Sequence, residues 1–139
     1  MHEKALLKAA WSARERAHAP YSKFQVGAAL LTRSGAVHSG CNVENASYPC
    51  GSCAETTAIV KAVSEGDLRP GDLMAILVAT DTAKPTTPCG RCRQVMEEFG
   101  SPTTKVFLST HPERVDQSWE LAAMLPNSFS RNQLRDDPA

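Results

Sequence analysis

Neither sign of charge is in surplus: fifteen Lys and Arg stand against fifteen Asp and Glu. A protein that tracks a polyanion carries a basic excess or a clustered basic stripe. Here the basic residues are scattered, and none of their clusters is interleaved with aromatics. That argues against nucleic acid as a partner and against phosphorylated substrates. No apolar run approaches the ~20 residues that a membrane span needs, so no membrane partner is expected. The opening Met1-His2-Glu3-Lys4 lacks the basic-then-apolar layout of a signal peptide, and a cytoplasmic protein is the expectation. A disulfide framework is missing too. Cys41, Cys50, Cys53, Cys89 and Cys92 are an odd count without a secretory leader, and their two Cys-x-x-Cys pairs point to metal or redox chemistry instead. Internal repeats, low-complexity tracts and linkers are absent. The 139 residues, 42% of them apolar, are therefore read as one domain spanning 1–139.

The patterning that is present alternates between helix and strand. Leu7, Ala10, Trp11 and Arg14 recur at helical spacing within 4–17, predicting an amphipathic helix stopped before Pro20. Residues 24–32 read as a largely buried strand, Arg33-Ser34-Gly35 as a turn, and 36–42 as the returning strand of a hairpin. After a loop rich in Asn, Ser, Pro and Gly, Ser52 has the chemistry to cap a helix running to about Ser64 and ended by Gly66. Residues 73–80 are apolar without a break, as in a strand covered on both faces. A helix over about Gly90–Phe99, a strand over Lys105–Ser109 and a short helix over Ser118–Leu125 follow, while 110–117 has no clear pattern. The order α-β-β-α-β-α-β-α predicts an α/β fold, a three-layer α/β/α sandwich around a mixed β-sheet.

Cys53 and Glu55 fall at the start of the second predicted helix, Cys89 and Cys92 at the start of the third. A helix N-terminus offers free N–H groups and a positive dipole end, which lower a thiol's pKa and favour thiolate. Thiolate is the form that ligates zinc, and three thiolates leave one tetrahedral position for water, as in catalytic sites. Zinc brings the pKa of such a water to about 7. Glu55, on the same helical turn as Cys53, is the candidate for moving protons. Plainer readings compete. Ser52-x-x-Glu55 also fits a capping box, in which the glutamate reaches back to the Ser52 N–H. Cys50-x-x-Cys53 with Cys89-x-x-Cys92 fits a structural four-cysteine zinc in a non-catalytic protein. Its 35 intervening residues exceed a zinc ribbon's ~15–20 and leave Glu55 without a role.

Together, Cys53-Ala54-Glu55 and Pro88-Cys89-Gly90-Arg91-Cys92 resemble the zinc nucleoside and nucleobase deaminases, with their three-cysteine metal and non-ligand glutamate. Three further segments narrow the resemblance to the small homotetrameric cytidine deaminases. These are the run from Ala19-Pro20-Tyr21-Ser22 to Ala29, Asn42-Val43-Glu44-Asn45-Ala46-Ser47-Tyr48, and Leu125-Pro126-Asn127-Ser128-Phe129. The similarity covers roughly residues 5–134. It implies Zn²⁺ on Cys53, Cys89 and Cys92, Glu55 as the catalytic residue, and hydrolytic deamination of cytidine and 2′-deoxycytidine with release of ammonia. It implies that Asn42 and Glu44 bond the ribose hydroxyls and that Phe24 and Ala54 belong to the substrate site. Tyr48 and Phe129 would act across a subunit boundary, in a homotetramer with shared active sites. Singly, Phe24 and Phe129 also fit ordinary core residues, and Asn42 and Glu44 fit strand-end turns. The rival enzyme is a relative acting on a modified cytidine or a cytosine-nucleoside antibiotic such as blasticidin S, although the Asn42/Glu44 pair favours an ordinary ribose. The chain departs from the family at Thr56, where arginine is usual, and at Asn127-Ser128, where Gly-Ala is usual. Arg93, directly after Cys92, is the expected substitute cation for the three-thiolate charge.

Overall fold

The computed structural model describes residues 2–134. Five strands, β1 (Val26–Thr32), β2 (Val37–Cys41), β3 (Leu73–Thr80), β4 (Lys105–Ser109) and β5 (Gln117–Glu120), form one sheet in the order β2-β1-β3-β4-β5. β3 and β4 run parallel and every other neighbouring pair antiparallel, so the sheet is mixed. Successive side chains of a strand point to opposite faces, and that alternation decides where each helix packs. Ala29, Leu31, Leu77 and Ala79 face α1 (Glu3–Arg14), whose Leu6, Leu7 and Ala10 complete that layer. Ala28, Leu30, Ile76, Val78, Val106 and Leu108 face the other way, onto α2 (Ala54–Ser64), α3 (Gly90–Phe99) and α4 (Leu121–Met124). The result is the expected three-layer sandwich. Leu73–Thr80 is covered on both faces, as its unbroken apolar run implies.

Strand register and one glycine bring α2 and α3 into position. Gly27 pairs with both Cys41 and Ala79, so β2 and β3 end at the same edge of the sheet, and the loops leaving them deliver the starts of α2 and α3 side by side. A Cβ on Gly40 would lie 2.6 Å from the Ala58 nitrogen, so only glycine lets α2 approach β2 this closely. One element departs from expectation. The helix predicted over Ser118–Leu125 survives only as α4, because Gln117–Glu120 pairs antiparallel with β4, Val106 opposite Trp119. No helix among the described residues is long and apolar enough to cross a membrane.

Candidate active site

Cys53 is the residue that opens α2 and Cys89 the one that opens α3, each with an extended backbone, and Cys92 follows one turn into α3. The Sγ atoms of Cys53 and Cys89 are 4.0 Å apart, and all three sulfurs lie within 4.8 Å of one another. A disulfide needs ~2.05 Å, and all five cysteines are free. Tetrahedral zinc with bonds of about 2.3 Å sets its sulfurs roughly 3.8 Å apart, so the cluster fits that ion with little adjustment. Cys50 stands outside it, exposed, its thiol directed at the Ser47 hydroxyl at 3.5 Å. The four-cysteine arrangement is therefore not formed.

The electrostatics of the cluster call for a cation. Burial pushes the Cys53 and Cys92 thiols up, and the charge of Glu55 adds to the rise at Cys92. Burial opposes ionisation of Cys89 as well, but hydrogen bonds from the Cys92 backbone and the two neighbouring thiols outweigh it and bring that thiol down. The lowering expected of all helix-start thiols thus holds for Cys89 alone. Desolvation wins at the other two. Glu55, 5% exposed, is itself pushed up by burial. A positive ion among the sulfurs would favour the charged forms that burial disfavours at Cys53, Cys92 and Glu55.

The capping alternatives do not form. Ser52 pairs its backbone N–H and C=O with Val43, both at 2.9 Å, and its hydroxyl meets the Thr57 hydroxyl at 2.9 Å. Cys53, not Ser52, occupies the cap position, and the Ser52 N–H that a capping-box glutamate would reach is already used. The Glu55 carboxyl is therefore not engaged in a capping box, and its charge acts on the neighbouring thiols. Arg93 also departs from expectation. Its Nε donates to the Pro88 carbonyl and its Nη1 to the Met124 carbonyl, each at 2.7 Å, rather than to a sulfur.

A cavity of about 810 Å³ opens beside Cys53, lined by Tyr21, Ser22, Asn42, Glu44, Tyr48 and Arg91 among others. Glu44 is held by three donors: its Oε1 accepts from the Tyr21 and Ser22 backbone N–H groups at 3.0 and 3.1 Å, and its Oε2 from the Ser22 hydroxyl. The Ser22 hydroxyl and these N–H groups keep its carboxyl below the usual range. Asn42 accepts from the Val26 N–H at 2.8 Å and donates to the Phe24 carbonyl at 2.7 Å, leaving one amide N–H uncommitted. Both residues pin the segment that leads into β1, as the turn reading has it, and both line the cavity. Ala54 is fully buried at the first position of α2. Phe24 is 40% and Phe129 57% exposed, which removes the core reading for both, and neither lines the cavity. Tyr48 is exposed, edge-on to Tyr21 with ring centroids 6.1 Å apart. Tyr21, Ser22 and Arg91 were not singled out in the sequence, although Arg91 lies between the glycine and the second cysteine of the ligand segment.

Comparison with known proteins agrees with this geometry. A family model described as the cytidine and deoxycytidylate deaminase zinc-binding region matches residues 1–109. A cytidine deaminase of Halalkalibacterium halodurans is 46% identical over 136 residues, covering 98% of this chain and 100% of its own. The crystal structure of cytidine deaminase from Burkholderia pseudomallei is similar with a TM-score of 0.86 at 50% identity, over 93% of this chain and 100% of that one. That of the Mycobacterium tuberculosis cytidine deaminase has a TM-score of 0.77 at 37% identity, over 93% and 98%. Three sulfurs at two adjoining helix starts, a buried glutamate two residues after the first of them, and this similarity over nearly the whole length together show that the chain belongs to the cytidine deaminase family of zinc-dependent hydrolytic enzymes.

Proposed function

We propose that this chain deaminates cytidine and 2′-deoxycytidine hydrolytically, giving uridine or 2′-deoxyuridine and ammonia. The observation that carries the reading is the buried Glu55 two residues after Cys53, which belongs to a three-sulfur cluster and also lines the cavity that holds Asn42 and Glu44. Cys53, Cys89 and Cys92 would hold zinc, which when bound supplies the Lewis acidity that lets a water lose its proton near neutral pH. Glu55 takes that proton and passes it to the ring nitrogen as the water oxygen adds to the adjacent carbon. It then takes the added hydroxyl's remaining proton and delivers it to the amine as the carbon–nitrogen bond breaks and the carbonyl forms. A carboxyl raised by burial suits both halves of this task, because it accepts and releases a proton with similar ease. The remaining Asn42 N–H and the Glu44 carboxylate would donate to and accept from the ribose hydroxyls. Such polar pairing selects for the sugar hydroxyl that cytidine and 2′-deoxycytidine share. A carboxylate at that place also repels a phosphate, so nucleosides rather than monophosphates are the substrates. The homotetramer with shared sites and the cytoplasmic location belong to the same proposal.

Incubation of the purified protein with a panel of cytosine nucleosides, following cytidine absorbance and ammonia, tests it. Turnover of cytidine and 2′-deoxycytidine is expected. No ammonia from any member would return the chain to a structural zinc protein. Turnover confined to a modified cytidine or a nucleoside antibiotic would establish the rival enzyme, and cytidine monophosphate consumed as fast as cytidine would remove the nucleoside restriction.

A further inference from the structure

Two adjacent threonines of α2 use their hydroxyls differently. Thr57 donates to the Cys53 carbonyl one turn back, at 3.0 Å, the habitual choice of a helical threonine. Thr56, 7% exposed, turns away from its own helix and places its hydroxyl 3.4 Å from the Sγ of Cys92 on α3. Cys92 is fully buried. A thiolate has no proton to give, so in the ligating form the hydroxyl must be the donor.

The charges around the cluster make that donor matter. Three thiolates exceed the two positive charges of zinc by one, and Glu55 lies next to them. The cation nearest in sequence to Cys92 on its C-terminal side, Arg93, is committed to the Pro88 and Met124 carbonyls. Among the described residues no lysine or arginine hydrogen-bonds to any of the three sulfurs. The polar groups placed at the sulfurs instead are the two helix starts and the Thr56 hydroxyl. Groups that hydrogen-bond to a metal ligand fix its orientation, and their loss typically costs ~10–100-fold in affinity or activity.

We infer that Thr56 is a positioning residue of the metal centre, its O–H donating to the Cys92 thiolate so that a neutral hydrogen bond replaces a cation in strengthening the hold on zinc. This role rests on the three-thiolate deaminase reading. Thr56→Val keeps the branched shape and removes the hydroxyl, whereas Thr56→Ser keeps the hydroxyl and removes the methyl. Thr56→Ala serves as a second hydroxyl-free variant should valine not fold. Each is purified as the zinc-loaded enzyme and equilibrated with a chromophoric chelator to obtain its zinc affinity, with far-ultraviolet circular dichroism as the check on fold. Valine and alanine are expected to weaken zinc binding ~10–100-fold, while serine stays within about threefold of the parent at unchanged circular dichroism. A parent that holds zinc and a valine variant that holds it equally well would overturn the inference alone. So would a serine variant as weak as valine, since packing of the methyl would then be responsible. A parent that holds no zinc would overturn the deaminase reading and the inference with it.

Discussion

A carboxyl buried to the extent of Glu55 needs a reason to be there, since burial disfavours its charged form. Capping is not the reason, because the Ser52 N–H is given to the Val43 carbonyl. Glu55→Gln preserves shape and removes the ionisable carboxyl, and with it the capacity to take up and release a proton. It is expected to keep zinc and fold while losing ~10²–10⁴ of the turnover rate, as read by metal analysis and ammonia release on the same preparation. A variant that unfolds, yet is fully active per folded molecule, would make Glu55 structural. The cysteines divide in the same way. Cys92→Ala is expected to lose zinc, whereas Cys50→Ala, whose thiol reaches only Ser47, keeps it. The three-sulfur cluster and the place of Glu55 in the first turn of α2 were legible in the sequence because helix starts, ligand chemistry and short spacings are local properties. The Thr56–Cys92 hydrogen bond joins residues 36 apart in the sequence and becomes visible only when α2 and α3 are side by side.

Between elements, one carboxylate ties the β1–β2 hairpin to the end of α2. Asp67 accepts from the Thr32 and Ser34 hydroxyls, each at 2.8 Å, and pairs with His38 Nε2 at 2.7 Å, while Glu65 lies 3.2 Å from His38 Nδ1. The His38, Ser34 and Thr32 contacts lower the Asp67 pKa from its ordinary value near 3.8. A carboxyl lowered in the folded state stabilises the fold above its unfolded pKa, and that contribution fades as pH falls through the lower folded value. Asp67→Asn is therefore expected to be less stable than the parent at pH 7, with the gap closing below about pH 4; denaturant titrations of both proteins across this range measure it. A gap that widens in acid would contradict the assignment. Arg93 links two other elements, from the loop before Cys89 to the end of α4. Arg93→Ala removes a charged donor from two carbonyls and is expected to cost about 1.5–3 kcal/mol in denaturation. The elements themselves were legible where the local pattern was strong, as in the unbroken apolar run of Leu73–Thr80 and the helical spacing of Leu7, Ala10, Trp11 and Arg14. β5 was not, because Gln-Ser-Trp-Glu is exposed throughout and shows no alternation. Its strand state comes from the free edge of β4, a partner that no local window contains.

At the scale of the whole molecule, the chain leaves Tyr21, Phe24, Tyr48 and Phe129 exposed, and two of these four rings border the open cavity. A pocket for a small ligand buries most of the ligand's surface, and a cavity walled by exposed side chains does not do so by itself. A neighbouring copy can supply the missing wall. Gln94 on α3 donates to the Phe129 carbonyl at 2.8 Å, so the exposed ring sits on an anchored backbone. We expect light scattering to give a mass of about four times the chain's 15.0 kDa; an active monomer would rule out shared sites. Subunit mixing is the sharper test. Phe129→Ala alone should raise KM at unchanged zinc content, and Glu55→Gln alone should be nearly inactive. If Phe129 completes a neighbour's site, a tetramer assembled from both variants contains sites that draw an intact Glu55 from one chain and an intact Phe129 from the other. Such sites should turn over at the parent's KM, so that the mixture regains a low-KM activity that neither variant shows. Were Phe129 to serve only its own chain, every site with a working Glu55 would lack the ring, and mixing would leave KM high.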